Sequence, residues 1–258
     1  MTALAYVDVR PVLAKIADLE RDLVLVGGQA VNFWASYYER RVPELAREAP
    51  FTSKDIDFCG DQRAVRMCAE RLGGTPRVAT FDDATPNSGT VVFVDAAGVT
   101  RTLDIVSAPF GLDAAEVHAT ALDVEILDDA GAATGARFFV MHPVLCMESR
   151  VHNVVGLAAA YDTEQGRKQL RASILFAREF LRDVLDGAME AENPVRAALK
   201  LNERIFRFSV HGHAKELYRV SGVDTAAAIL ADDRLPAAFR ETRLPQMREQ
   251  LVARERTP

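Results

Sequence analysis

Two aspartates one residue apart are the first sign of chemistry in this 258-residue chain. The run Lys54-Asp55-Ile56-Asp57-Phe58-Cys59 reads as a short strand. Alternation then sends Ile56 to the core and both carboxylates to the opposite face, about 7 Å apart. Like charges on one face repel, and a bound divalent cation offsets that repulsion. Asp104 sits in the same apolar–Asp–apolar setting, in Thr102-Leu103-Asp104-Ile105-Val106. With its strand beside the first, it completes three hard oxygen ligands, a set suited to Mg²⁺, whose remaining positions go to water and phosphate oxygens. Upstream, the apolar run Asp22–Val26 stops at Gly27-Gly28 and passes into helical composition. Glycines there let the backbone approach an anion, and the start of the helix supplies N–H groups without intrahelical partners. A lone DxD is a weak signal and a lone Gly-Gly is an ordinary tight turn. The order strand, Gly-Gly, helix, DxD strand, distant Asp is much less common.

These residues need a scaffold, and the chain shows two textures. Residues 1–142 alternate short β-rich runs with amphipathic segments. Pro11 to Glu20 reads as a helix with Val12, Leu13, Ile16 and Leu19 on one stripe. Gln29 to Arg41 is helical in composition, and Pro43 blocks its continuation. Gln62 to Leu72 fits a helix ended by Gly73-Gly74. Thr90 to Asp95 and Thr100 to Val106 form one hairpin signal, and Leu122 to Leu127 with Arg137 to Met141 form a second. From Pro143, a residue suited to a helix start, the signals turn helical. Arg167 to Leu185 is long and amphipathic, Pro194 to Val220 is one helix or a pair interrupted near Gly212, and Leu235 to Arg256 is a basic helix or two. The expectation is an α/β (α+β) fold, with a mixed-sheet core over 1–142 and a C-terminal helical bundle over 143–258.

Composition narrows the function classes. Apolar residues make up 49% and charged residues 26%, which excludes wholesale disorder and a collagen-like repeat. Cys59, Cys68 and Cys146 show no CxxC spacing, so neither a zinc site nor a disulfide framework is expected. No signal peptide is recognisable, and no apolar stretch approaches the roughly 18 residues of a membrane span. The expected setting is therefore a reducing cytoplasm, away from membranes. The net charge of −6 divides into −10 over residues 1–164 and +4 over 165–258. An acidic front half needs cations before it can accept a polyanionic substrate. The net negative charge and the lack of a reading helix argue against a non-enzymatic nucleic-acid binder.

The segments LVGGQAV (25–31), TSKDIDF (52–58) and RTLDIVS (101–107) together resemble the nucleotidyltransferase superfamily of the DNA polymerase β type. By pattern they are similar to minimal bacterial nucleotidyltransferases, including abortive-infection type toxins. The family pattern is hG[GS], a helix, [DE]h[DE]h, and a third acidic residue on a later strand; here it covers about residues 20–110. The resemblance implies an enzyme of the EC 2.7.7 type. It would move a nucleoside monophosphate from a nucleoside triphosphate such as ATP to an acceptor hydroxyl on RNA, a protein or a small molecule. Asp55, Asp57 and Asp104 would be its catalytic residues and its ligands for Mg²⁺ or Mn²⁺. Gly27, Gly28, Gln29 and Ser53 would contact the triphosphate, helped by basic residues from later helices, for which Arg150 and Lys168 are the choices. An antitoxin protein is an implied partner. The spacing from Gly28 to Asp55 exceeds that of compact members, so an inserted loop is expected over 42–54. His142, His211 and His213 are read as non-catalytic. The competing reading is an inactive module of the same fold that binds nucleotide or nucleic acid. Such a module has no physical use for three close negative charges.

Overall fold

Along the chain run α1 (Tyr6–Ile16), β1 (Val24–Leu25), α2 (Gly27–Tyr38), α3 (Pro43–Glu48), β2 (Ile56–Cys59), α4 (Gln62–Leu72) and β3 (Thr75–Val78). They are followed by β4 (Asn87–Val94), β5 (Thr100–Val106), α5 (Ala114–Thr120), β6 (Leu122–Leu127) and β7 (Ala133–Val140). Helices α6 (Pro143–Gly156), α7 (Ala158–Tyr161), α8 (Glu164–Leu185), α9 (Pro194–Ser209), α10 (Gly212–Ser221) and α11 (Leu244–Ala253) complete the order. The computed structural model describes residues 3–83, 85–128, 130–189 and 191–254. The architecture is mixed α/β, in two compact units: Met1–Tyr37 with Glu48–Ser149, and Tyr38–Arg47 with Arg150–Pro258. The chain thus passes from one to the other inside α6, and residues 38–47 belong with the helical part.

The first unit is organised by a seven-stranded sheet in the order β3-β4-β5-β2-β1-β7-β6. β1 runs antiparallel to β2 and parallel to β7, while β2 and β5 are parallel neighbours. One face of its β4-β5-β2 part is apolar: Val91, Phe93, Leu103, Ile105, Ile56 and Phe58 are all buried. Helix α4 packs on β3 and β4. Its buried residues Ala64, Val65, Cys68, Ala69 and Leu72 recur at helical spacing. It starts where Asp61 accepts a hydrogen bond from the Ala64 N–H at 2.9 Å, and it ends at Gly73 in the left-handed region.

Several boundaries differ from the sequence reading for identifiable reasons. Helix α1 begins at Tyr6 and carries Pro11 inside it. Asp8 reaches back to accept from the Ala5 N–H at 2.8 Å, and buried Val9 extends the apolar stripe ahead of the proline. The expected loop over 42–54 contains α3, which Pro43 can open and which buried Leu45 anchors. The stretch 194–220 is a pair, α9 and α10, parted at Val210-His211. The tail holds a π-helical turn, Phe239–Arg243, leading into α11.

The second unit is held by apolar faces of α8 and α9 and by buried polar contacts. Asp183 on α8 is buried, and both of its oxygens are paired. The Arg41 guanidinium donates to them at 2.7 and 2.8 Å, and the Tyr38 hydroxyl donates at 2.9 Å. Losing a partner leaves the buried Asp183 carboxylate short of a hydrogen bond, which typically costs about 1–3 kcal/mol. Arg254 is handled similarly: it donates to the Ser209 carbonyl at 2.9 Å, pairs with Asp224 and lies 3.9 Å over the Tyr218 ring.

Candidate functional site

The turn after β1 is built around one close approach. Val26 N–H donates to the Asp57 carbonyl at 2.9 Å, which ties the end of β1 to β2. Gly27 follows with φ +62°, a backbone conformation that side chains disfavour. A Cβ placed there would lie 2.9 Å from both the Cβ and the Cγ of Asp57, and closer still to its Oδ2. Glycine at this position therefore lets the start of α2 sit directly against the Asp57 carboxylate. The first N–H groups of α2 have no intrahelical acceptors, and the helix dipole adds positive character there.

Register brings the carboxylates together. Asp57 on β2 is paired directly with Asp104 on the parallel strand β5. Directly opposed residues share a face, with strands about 4.8 Å apart. Both are half-buried while Ile56, Leu103 and Ile105 are buried on the reverse face, as alternation predicted. Asp55 lies in the bend just before β2 instead of within the strand. Its negative charge nevertheless reaches Asp104: burial first, and then Asp55, holds the Asp104 carboxyl above the ordinary carboxylate range.

That upward shift has a stability consequence. The native state takes up the Asp104 proton more readily than the unfolded chain does. The contribution is fully favourable below the unfolded value of 3.8 and is lost as pH rises through the higher native value. Asp104→Asn is therefore expected to raise Tm by a few degrees at neutral pH in the presence of a chelator. The advantage should vanish as pH falls below the ordinary carboxylate range. Thermal melts of both proteins across that pH window check it, and a lower Tm for the variant at neutral pH would contradict the electrostatic account.

Among the described residues, no cluster of three or more His, Cys, Asp or Glu side chains is arranged to hold a metal ion unaided. The donor chemistry still fits Mg²⁺ or Mn²⁺ held jointly with a substrate. Mg²⁺ commonly takes one or two carboxylates and completes its shell with phosphate oxygens and water. Asp57 and Asp104 offer such a pair, crowded and partly desolvated, beside a turn whose backbone can meet phosphate.

The remaining sequence candidates fall in different places. Gly28 is buried in the first turn of α2. Gln29 is fully buried, and its Nε2 donates to the Leu4 carbonyl at 3.2 Å. Ser53 N–H donates to the same carbonyl at 2.9 Å, and Leu4 N–H donates back to Ser53 at 2.7 Å. The turn and the approach to β2 are thus braced by one N-terminal residue. Arg150 and Lys168 belong to the second unit. Arg150 is buried, donates to Gln169 at 3.2 Å and lies 5.9 Å from the Tyr161 ring centroid, whereas Lys168 is half-buried on α8. His142 accepts from the Val144 N–H at 3.1 Å, and His213 sits 2.9 Å from His152, nitrogen to nitrogen. Burial, followed by the neighbouring His213, lowers the pKa of His152.

Sequence reasoning missed the residues that continue the carboxylate row. Thr90 on β4 is opposite Asp104, and Arg77 on β3 is opposite Thr90. Gly73-Gly74 and Pro76 disguised β3, yet proline is tolerated on an edge strand such as this one.

The chain matches no protein-family model and no curated protein. Among solved structures it is similar to the crystal structure of an antigenic nucleotidyltransferase-like protein from Paracoccidioides brasiliensis. The identity is 10% and the TM-score 0.46, over 78% of this chain and 95% of that one.

Proposed function

We propose that the first unit is a metal-dependent nucleotidyltransferase, which transfers a nucleoside monophosphate from a nucleoside triphosphate to an acceptor hydroxyl. The observation that carries this reading is the in-register pair Asp57–Asp104 with the Gly27 turn pressed against Asp57. A structural role alone does not require two adjacent carboxylates on one face against a glycine turn at positive φ. Phosphoryl chemistry does, because it needs cations and backbone N–H groups at the same place.

Asp57 and Asp104, with Asp55 adding the third carboxylate, would hold Mg²⁺ or Mn²⁺. When bound, the cation neutralises phosphate charge and stabilises the departing pyrophosphate. The backbone N–H groups of Gly27, Gly28 and Gln29 would meet the triphosphate, with the Ser53 hydroxyl nearby. The Gln29 side chain braces the turn through Leu4. Asp104, a carboxylate beside the attacking oxygen, would take the proton of the attacking hydroxyl. The hydroxyl oxygen forms a bond to the α-phosphorus. The bond from that phosphorus to the bridging oxygen breaks, and pyrophosphate leaves with the electron pair.

RNA, a protein or a small hydroxylated molecule each supply such a hydroxyl. The motif set resembles that of minimal bacterial nucleotidyltransferases, abortive-infection toxins among them, and on that resemblance an antitoxin protein is a proposed partner. Three buried cysteines outside any disulfide suit a reducing cytoplasm, and among the described residues no helix is long and apolar enough to cross a membrane.

The test is direct. The full chain is incubated with each nucleoside triphosphate, Mg²⁺ and an acceptor panel of cellular RNA, protein and hydroxylated small molecules. Pyrophosphate release and the mass of one added nucleoside monophosphate on an acceptor are expected, both abolished by chelation. Absence of pyrophosphate release with every triphosphate and acceptor refutes the proposal.

A further inference from the structure

A groove of about 350 Å³ lies on the first unit and reaches Thr90, one strand from Asp104; Arg77, Ala79, Asp83, Thr85 and Asn87 are among its lining residues. Its position follows from sheet register. Arg77, Thr90, Asp104 and Asp57 are consecutive opposed residues on β3, β4, β5 and β2, so they form one row on one face. Thr90 belongs to both the row and the groove lining. Arg77 is two strands from Asp104, about 10 Å between backbones.

The charges in the groove are unequal in availability. Asp83 Oδ2 accepts from the Thr80 N–H at 2.8 Å and from the Thr80 hydroxyl at 3.0 Å, so this carboxylate is bound up in its own turn. Its other oxygen is 4.0 Å from Arg77 Nη2, beyond hydrogen-bond range, and the Arg77 side chain is 83% exposed. The guanidinium can therefore exchange this loose pairing for a bidentate grip on an oxyanion. Thr85, Asn87 and Thr90 add neutral donors and acceptors suited to sugar hydroxyls.

We propose that this groove seats the acceptor: its attacking hydroxyl lies at Asp104, and a phosphate group one sugar away is gripped by Arg77. The inference rests on the nucleotidyl-transfer reading and adds to it that the acceptor is a phosphorylated sugar or nucleotide. The phosphate belongs either to a single nucleotide or sugar phosphate or to the end of a nucleic-acid strand.

Titration calorimetry of the full chain separates these cases. With Mg²⁺ and a saturating non-hydrolysable ATP analogue holding the donor position, the probes are uridine, uridine 5′-monophosphate, ribose 5-phosphate and a short RNA with a free 3′ hydroxyl. The phosphorylated probes are expected to bind about tenfold more tightly than uridine. Arg77→Ala should erase that advantage and Arg77→Lys should restore only part of it, since lysine lacks the planar fork. Neither substitution should change Mg²⁺-dependent binding of the analogue. RNA binding above the mononucleotide assigns the phosphate to a strand end, and equal binding assigns it to a single nucleotide. If uridine and its monophosphate bind alike, or if Arg77→Ala leaves their difference intact, the groove assignment is overturned while the donor site stands. If the analogue itself shows no Mg²⁺-dependent binding to the parent protein, both readings fall.

Discussion

Gly27→Ala is expected to destabilise the protein by about 2–4 kcal/mol and to remove triphosphate binding. A side chain at positive φ costs about 1–3 kcal/mol, and a Cβ 2.9 Å from the Cβ and Cγ of Asp57 adds overpacking that neither element can relieve alone. Gly73 separates the two terms. It has nearly the same φ, +63°, but a Cβ there meets nothing within 4 Å. Gly73→Ala should therefore show only the conformational cost, about 1–2 kcal/mol, and leave binding intact. Urea unfolding and calorimetric titration with a triphosphate analogue measure both variants. Equal destabilisation by the two would mean that the approach to Asp57 carries no weight.

Asp57→Asn should lower metal-dependent transfer by about three orders of magnitude, the scale of several kcal/mol of lost charge stabilisation. The amide keeps the shape of the side chain, so the fold should survive, as far-UV circular dichroism can check. Asp55→Asn is expected to cost less, because Asp55 lies in the bend before β2 and acts on Asp104 through its charge. Rates of pyrophosphate release across a Mg²⁺ titration distinguish the two. A larger loss at Asp55 than at Asp57 would reverse the roles assigned from register.

What could be read from the sequence was whatever its local periodicity encodes. Ile56 between two aspartates, and Asp104 between Leu103 and Ile105, announced which faces are buried, because alternation is a property of each strand by itself. Periodicity allowed the strands of Asp57 and Asp104 to be neighbours but could not give their register, which depends on β2 and β5 meeting in parallel across an intervening helix and hairpin. Gln29 illustrates a second limit. Its place beside the glycines suggested a ligand, and only the fold reveals that its side chain is directed at Leu4. Short elements were lost for a third reason. β3, with its proline, and α5, seven residues long, are stabilised by what they pack on, and so neither carries a strong pattern of its own.

The pairing of β1 with β7 also sets when the sheet can be completed. β1 contributes only Val24 and Leu25, and one of its two neighbours is β7. The same distant segment is reached from α2, where the Trp34 indole donates to the Met141 carbonyl, 107 residues further along the chain. During synthesis at about 5–20 residues per second, several seconds or more separate the emergence of the glycine turn from that of the strand that completes its support. Contacts of such long range form late and slowly. A nascent or prematurely terminated chain that carries all three aspartates but lacks β7 would therefore leave Val24, Leu25 and Trp34 uncovered, a substrate for chaperones and proteases. Emergence of residue 141 thus completes the support of the glycine turn, and a chain that stops short of β7 is expected to lose triphosphate binding.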